Sequence, residues 1–163
     1  MEIVPVKTRL LLAEEDLIQR LMIREYLEIF SQYEILEAHG IFHLLATCES
    51  SLSRIGIILL DMEWTRVDAV DLILEIRRRN PALPILGMTD RQADLYEDAR
   101  LRGLSRVGFV PKPFSSNHLQ RSIKAVLSAA RIHSIEKSLD LEKSRRNGTL
   151  SVLERSSYGQ NPA

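Results

Sequence analysis

The chain has 163 residues, a length that suits one domain with an appendage. Apolar residues make up 45% of it and charged residues 27%, as is ordinary for a globular protein in water. The 22 basic and 22 acidic side chains cancel, which argues against broad electrostatic binding of nucleic acid or of an anionic membrane surface.

Short runs of strand-forming residues alternate with stretches of helical periodicity along most of the chain. We predict strands at residues 9–13, 33–38, 55–60, 84–88 and 107–110. We predict helices at residues 16–30, at 41–46 with an end in the region 50–53, at 67–79, at 92–101, and from about residue 117 onward. Asn80-Pro81 ends the third helix, and Ser115 or Ser116 caps the last one.

Strand–helix units that repeat in this way predict a parallel sheet with helices on both faces. The third strand is a continuous apolar run, which is typical of a strand covered on both sides. We therefore predict an α/β fold, a flavodoxin-like (βα)5 three-layer sandwich with strand order 2-1-3-4-5. Residues 1–130 form this domain, and residues 131–163 form a helical extension followed by a disordered tail.

The last predicted helix is too long for the domain. Its first apolar stripe should pack on the sheet and contains Leu119, Ile123, Val126, Leu127 and Ala130. A second stripe, at Ile132, Ile135 and Leu139, is a candidate seam for a partner or for a homodimer. The alternative is a frayed helix with scattered apolar residues, because the stripe lasts less than two heptads. Asn147-Gly148 predicts the end of the helix, and we expect disorder after Leu153.

Polar residues stand just past four of the predicted strands. Glu14-Glu15, Asp61, Thr89 and Lys112 stand at these positions. Ligands of open parallel sheets gather at the carboxyl ends of the strands, so these groups should converge. Acids, a hydroxyl and an ammonium in one crevice are the parts of a divalent-metal and phosphoryl site.

Four motifs on these strands resemble the receiver domain of two-component response regulators. They are LLLAEED, LLDMEW, PILGMTD and VPKPF, which begin at Leu10, Leu59, Pro84 and Val110. The resemblance runs from about residue 7 to residue 130, most of the chain. Each motif alone is unspecific, but their order and spacing on the predicted strands make the set specific.

The resemblance implies that Asp61 is the phosphoacceptor, whose carboxylate becomes an acyl phosphate. Glu14 and Glu15, with Asp61 and the backbone carbonyl of Glu63, would hold Mg2+. Lys112 would pair with Asp61 and then with the phosphoryl group.

The resemblance also assigns the parts of a switch. Thr89 would supply the hydroxyl that bonds the phosphoryl oxygen, and Phe109 would be the aromatic switch residue. Both would move inward on phosphorylation and bias the face made by the fourth helix, fifth strand and last helix. The peptide bond between Lys112 and Pro113 would be cis.

The implied partners are proteins. A histidine kinase or a histidine phosphotransfer protein would donate the phosphoryl group, and a downstream protein target would read the result. The chain carries no evident DNA-binding or catalytic output domain, and the only chemistry of its own would be slow self-dephosphorylation. Nucleic-acid binding through Lys143, Arg145 and Arg146 is disfavoured because this basic run is short and interleaved with acids.

Several positions depart from the family pattern and support a second hypothesis. Glu15 replaces the usual aspartate, and Asp90 directly follows Thr89, where a bulky acid should crowd the phosphoryl group. Trp64 stands in a remodelled loop, where we expect it to be partly exposed or a packed anchor. The second hypothesis is a pseudo-receiver that acts as a phosphorylation-independent interaction or dimerisation module. Retention of Asp61, Thr89 and Lys112 together weighs against it.

Other features bear on location in the cell. The single cysteine, Cys48, excludes an internal disulfide and fits a reducing compartment. The first seven residues lack the apolar core of a signal peptide, and no apolar run approaches the ~20 residues of a membrane span. We therefore expect a cytoplasmic protein without membrane contact.

Overall fold

The structure, a computed structural model, describes residues 6–49 and 54–157, with side chains up to residue 146. Its elements are β1 (Thr8–Ala13), α1 (Leu17–Glu28), β2 (Tyr33–Ala38), α2 (Ile41–Glu49), β3 (Ile57–Asp61), α3 (Ala69–Arg79), β4 (Ile85–Thr89), α4 (Gln92–Glu97), a 3-10 turn (Ala99–Leu101), β5 (Val107–Pro111) and α5 (Ser116–Ser157). The predicted alternation of strands and helices is confirmed.

The strands form one parallel sheet in the order β2-β1-β3-β4-β5, as predicted. Leu10 of β1 stands opposite Ile35 of β2 and Ile57 of β3. On the other side of β3, Asp61 lies opposite Met88 of β4. The carboxyl ends of β1, β3, β4 and β5 therefore share one edge of the sheet.

The side chains of the strands alternate between two apolar layers. One layer joins the sheet to α2 and α3 and includes Leu11, Ala13, Leu44, Ile58, Leu60, Ile73 and Ile76. The other joins it to α1 and α5 and includes Leu10, Leu12, Ile23, Leu27, Ile57, Leu59, Leu119 and Ile123. Burial of consecutive β3 residues on both faces confirms the prediction from the continuous apolar run.

Side-chain caps set where the helices begin. Asp16 accepts a hydrogen bond from the backbone N–H of Gln19 at 2.8 Å and opens α1. Asp68 does the same for the second residue of α3, at 2.8 Å. Ser115 Oγ accepts from the N–H of His118 at 3.2 Å, so the first of the two candidate serines caps α5.

The single helix predicted over residues 92–101 is wrong. α4 ends at Glu97, and Asp98 is extended with a ψ of 115°. The Asp98 carboxylate accepts from the backbone N–H of Arg100 at 2.9 Å and forms an ion pair with its guanidinium at 2.8 Å. This local bonding competes with continuation of the helix and starts the 3-10 turn instead.

The end predicted for the last helix is also wrong. α5 continues through Asn147-Gly148 to Ser157, so residues 154–157 are helical rather than disordered. A glycine inside a helix costs about 1 kcal/mol and does not forbid it. The rest of the predicted tail, and the region 50–53 where α2 was expected to end, lie outside the described residues. In the described part of the chain, no helix is both long and apolar enough to cross a membrane.

The start of the α5 extension is bonded to the domain. Arg106 donates from Nη2 to Ser134 Oγ at 2.9 Å and from Nη1 to the carbonyl of Ala82 at 2.9 Å. One guanidinium thus links α5 to the loop before β4. This contact lies at the edge of the sheet opposite to the polar strand ends.

Gly87 makes room for the ring of Phe109, its neighbour on β5. A Cβ added at Gly87 would lie 2.6 Å from Phe109 Cδ1 and 3.0 Å from Met62 Sδ. We expect Gly87→Ala to lower the free energy of unfolding by about 1–3 kcal/mol, because the ring has to shift in a packed core. Urea denaturation measures this. The control is Gly40→Ala, since a Cβ there meets nothing within 4 Å. Equal losses in the two variants would contradict the prediction.

Candidate functional site

The predicted polar residues meet at the carboxyl edge of the sheet. Asp61 and Thr89 are the last residues of β3 and β4, while Glu14 and Lys112 directly follow β1 and β5. Each is held by a buried strand, so its backbone position is set by the register of the sheet. The described residues show the predicted convergence for these four residues but not for Glu15.

The ammonium of Lys112 lies among three carboxylates. Its Nζ is 2.6 Å from Asp61 Oδ1, 3.3 Å from Glu63 Oε2 and 3.9 Å from Glu14 Oε2. Burial disfavours the charged lysine, but the hydrogen bond to Asp61 and the surrounding negative charges outweigh it and raise the pKa of Lys112. The peptide bond between Lys112 and Pro113 is cis, as the resemblance implied.

Glu14 is the most enclosed acid of the site, with 1% of its surface exposed. Its Oε1 accepts from the backbone N–H of Asp16 at 2.9 Å, while its buried Oε2 has no hydrogen-bond partner. Burial raises the pKa of Glu14 to about 6, and the charge of Asp61 adds to the shift, although the bond from Asp16 opposes it. A buried carboxylate oxygen without a hydrogen-bond partner, beside Asp61, is suited to a cation.

Glu15 does not join Glu14, contrary to what an acidic pair suggests. Its carboxylate is exposed and lies 3.4 Å from both the backbone N and the hydroxyl of Thr65. Among the side chains described, those of residues 6–49 and 54–146, no three from Asp, Glu, His or Cys are grouped as ligands for one metal ion. Glu14, Asp61 and the Glu63 carbonyl remain suited to Mg2+, because hard cations prefer oxygen ligands.

The side chain of Glu63 is the functional group that sequence analysis missed. The prediction gave this residue only a backbone role. In the structure Glu63 Oε1 accepts from the hydroxyl of Thr89 at 2.8 Å and from the backbone N–H of Asp90 at 3.2 Å. Its position two residues after Asp61 was the available signal, since a glutamate there is long enough to reach the end of β4.

The two predicted switch residues are both directed inward. Thr89 is fully buried, and its oxygen also accepts from the backbone N–H of Arg91 at 2.9 Å. Phe109 is buried over Gly87, and its ring stands edge-on to Tyr96 with centroids 5.6 Å apart. Thr89 and Phe109 thus connect the acid cluster with α4.

Near the site, the expectation for Asp90 is wrong, and the structure decides between the two alternatives for Trp64. The Asp90 side chain is 65% exposed and lies 3.9 Å from Arg91, so it does not crowd the space beside Thr89. Trp64 is only 5% exposed and belongs to the apolar layer beside α2 and α3. Of the two alternatives for Trp64, a packed loop anchor is the one observed.

The predicted partner-binding residues are remote from the acids. Ile132, Ile135 and Leu139 lie on the part of α5 beyond the sheet, each with half or more of its surface exposed. Fold and register therefore separate two candidate surfaces: the carboxyl edge of the sheet and the α5 extension.

Comparison with protein families gives one match over most of the chain. The family model of the response regulator receiver domain matches residues 10–124. The transcriptional regulatory protein TctD of Salmonella typhimurium is 27% identical over 138 residues, which cover 78% of this chain and 56% of TctD. The chain thus spans about half the length of the curated relatives it matches.

Solved structures that share the fold match this chain at low sequence identity. The chemotaxis protein CheY4 of Vibrio cholerae has a TM-score of 0.64 at 19% identity, over 74% of this chain and 99% of that one. A CheY-like receiver domain protein from Methanospirillum hungatei has a TM-score of 0.66 at 20% identity, covering 78% and 98%. The receiver domain of a sensor histidine kinase from Pseudomonas aeruginosa, which holds a magnesium ion in its active-site cleft, has a TM-score of 0.64 at 20% identity, covering 76% and 99%.

The raised pKa of Glu14 predicts how stability depends on pH. Its folded pKa of about 6 exceeds the ordinary 4.5, so the folded protein binds the proton more tightly than the unfolded chain. Protonation of Glu14 therefore contributes about 2 kcal/mol to the free energy of unfolding. This contribution is fully present below pH 4.5 and is lost as the pH rises through 6. We expect the stability of Glu14→Gln relative to the parent to rise by this amount between pH 4 and pH 8.

Urea denaturation in the presence of EDTA measures this difference without divalent cations. The matched control is Glu97→Gln, which neutralises an exposed glutamate of α4. If the free energies of unfolding of Glu14→Gln and the parent differ by the same amount at every pH, the pKa of Glu14 is not raised in the folded protein.

Proposed function

The chain belongs to the response regulator receiver domain family, and from this we propose that it accepts a phosphoryl group on Asp61 and signals by protein–protein contact. The donor is a histidine kinase or a histidine phosphotransfer protein. The observation that carries the proposal is the Lys112 ammonium 2.6 Å from Asp61 Oδ1, at a strand end beside Thr89. An anionic nucleophile next to a cation and a hydroxyl donor is suited to phosphoryl transfer.

The proposed reaction is a direct transfer between side chains. An Asp61 carboxylate oxygen attacks the phosphorus of the phosphohistidine, and the P–N bond breaks with its electron pair going to the imidazole. Lys112 balances the charge of the acyl phosphate, and Thr89 donates a hydrogen bond to it. Receiver domains are signalling domains, so turnover is limited to slow hydrolysis of this bond.

We propose that Mg2+ assists this transfer, in agreement with the general behaviour of receiver domains. The carboxylates of Glu14 and Asp61 and the carbonyl of Glu63 would hold it, and Glu15 would join them by leaving Thr65. The ion supplies positive charge that offsets the transferring phosphoryl group. Support comes from the buried Glu14 Oε2, which has no hydrogen-bond partner.

A surface for the donor lies next to the site. α1 exposes apolar side chains at Leu17, Ile18 and Leu21, with Ile18 78% exposed. The opening between α1 and the loop after β5 is lined by Met22 and Phe114. An apolar rim around a charged centre suits a protein that presents one phosphohistidine.

The proposed output runs through Phe109. Its ring contacts Tyr96, which is 63% exposed on α4. A shift of Phe109 would therefore change the surface formed by α4, β5 and α5, where a downstream protein would bind.

The alternative is a pseudo-receiver, a constitutive interaction or dimerisation module in which Asp61 stays unmodified. One observation favours it: the Thr89 hydroxyl already donates to Glu63. We favour phosphoryl acceptance because Asp61, Thr89 and Lys112 are all present and lie together at the carboxyl edge of the sheet.

Phosphoryl acceptance predicts a mass change. We expect prolonged incubation with acetyl phosphate and Mg2+ to add one phosphoryl group, because Asp61 is the nucleophile. Intact mass spectrometry measures it, with Asp61→Asn and a magnesium-free sample as controls. Uptake by Asp61→Asn would mean a different acceptor, and no uptake by the parent would favour the pseudo-receiver.

The exposed stripe of Ile132, Ile135 and Leu139 on α5 supports a homodimer as the assembled form. We expect the parent to sediment as a dimer and the double variant Ile135→Asp, Leu139→Asp to sediment as a monomer, because charge at a helix seam disfavours pairing. Analytical ultracentrifugation distinguishes the two. Ser144→Asp, on the opposite face of α5 by helical periodicity, is the control. A monomeric parent would contradict the proposed seam.

A further inference from the structure

The Glu63 carboxylate is surrounded by the donors of an oxyanion site. The Thr89 hydroxyl and the Asp90 backbone N–H bond its Oε1 at 2.8 and 3.2 Å. The Lys112 ammonium lies 3.3 Å from its Oε2. A hydroxyl, an amide and an ammonium aimed at one place bind anions strongly, whichever anion occupies it.

This anion site adjoins the proposed acceptor. Lys112 Nζ contacts both Asp61 Oδ1 and Glu63 Oε2, so the two carboxylates are held by one ammonium. A phosphoryl group on Asp61 would extend toward the same ammonium and toward the hydroxyl at the end of the adjacent strand. The Glu63 carboxylate and a phosphoryl group on Asp61 cannot both accept hydrogen bonds from these donors at the same time.

We propose that Glu63 is a built-in competitor of the phosphoryl group: its carboxylate takes the donors of Thr89, Asp90 and Lys112, and has to leave before Asp61 can be phosphorylated. Glu63 is thus a positioning residue that holds the Thr89 hydroxyl while Asp61 is free. This inference rests on the proposed function, since it describes an occupant of the same site.

The inward switch residues support this role. The only proton of the Thr89 hydroxyl is donated to Glu63, and its oxygen is engaged by the N–H of Arg91. Both bonds fix the orientation of a side chain that has no exposed surface. Phe109 is packed over Gly87 in the same arrangement. A carboxylate of this chain therefore supplies the contact that otherwise requires a phosphoryl oxygen.

Glu63 also has a route out of the site. Its side chain is 28% exposed and extends from the loop after β3 rather than from a strand. Its Oε2 is buried without a hydrogen-bond partner, held only by the charge of Lys112. An approaching phosphoryl group adds negative charge beside Glu63, and the resulting repulsion would drive its carboxylate toward solvent before the bond to Asp61 forms.

The kinetic test compares Glu63→Ala and Glu63→Gln with the parent at saturating Mg2+ and acetyl phosphate. We expect Glu63→Ala to take up phosphoryl about tenfold faster, because one charge-assisted contact no longer competes. Glu63→Gln keeps an acceptor for Thr89 but lacks the charge, so its rate should be intermediate. Glu97→Gln, an exposed glutamate of α4, is the matched control and should react at the parental rate.

A second readout does not depend on phosphorylation. The Thr89 methyl resonance in unphosphorylated protein, assigned with Thr89→Val, reports whether the hydroxyl is bonded to Glu63. We expect it to shift in Glu63→Ala and to stay unchanged in Glu97→Gln. A shifted resonance without phosphoryl uptake in any variant would sink the proposed function and leave the positioning of Thr89 by Glu63 standing. An unchanged resonance, or equal uptake rates in parent and Glu63→Ala, would overturn the inference.

Discussion

The carboxyl edge of the sheet depends on one cation among several acids. Lys112 Nζ lies within 4 Å of Asp61, Glu63 and Glu14, and each of these groups is attached to a strand end or to the loop that follows it. Parallel strands in the order observed bring the acids together whether or not their charges balance. One ammonium offsets only part of this negative charge: burial raises the pKa of Glu14, and the charge of Asp61 adds to that shift. The remaining negative charge is what makes the edge suited to a further cation and sensitive to any added anion.

Packed side chains of β4 and β5 link the same edge of the sheet to the exposed surface of α4. Gly87 and Phe109 are register partners, and the missing side chain of one makes space for the ring of the other. The ring reaches Tyr96 on α4, a helix of six residues with one buried side chain, Leu95. A short, lightly packed helix costs little to move, which makes α4 a suitable element to transmit a change at Thr89. The α5 extension, in contrast, is tied to the opposite edge through Arg106 and Ser134.

Most of the fold was predictable because its signals are local. A continuous apolar run at β3 needs cover on both faces, and the alternation of strand and helix periods leaves few topologies. Helix boundaries that depend on single side chains were harder to predict. The break after α4 comes from the bonds of Asp98 with Arg100, and the continuation of α5 past Asn147-Gly148 shows that one glycine is a weak stop.

The sequence by itself determined which groups meet: polar residues placed directly after buried strands had to converge at one edge, and Glu14, Asp61, Thr89 and Lys112 do. Only the tertiary structure decided which atoms bond there. Glu15 is bonded to Thr65 and Glu63 to Thr89, while Asp90 is exposed and Trp64 is buried. The physical reason is that strand spacing fixes backbone positions, whereas a side chain selects its rotamer by the charges and space that other segments bring to it.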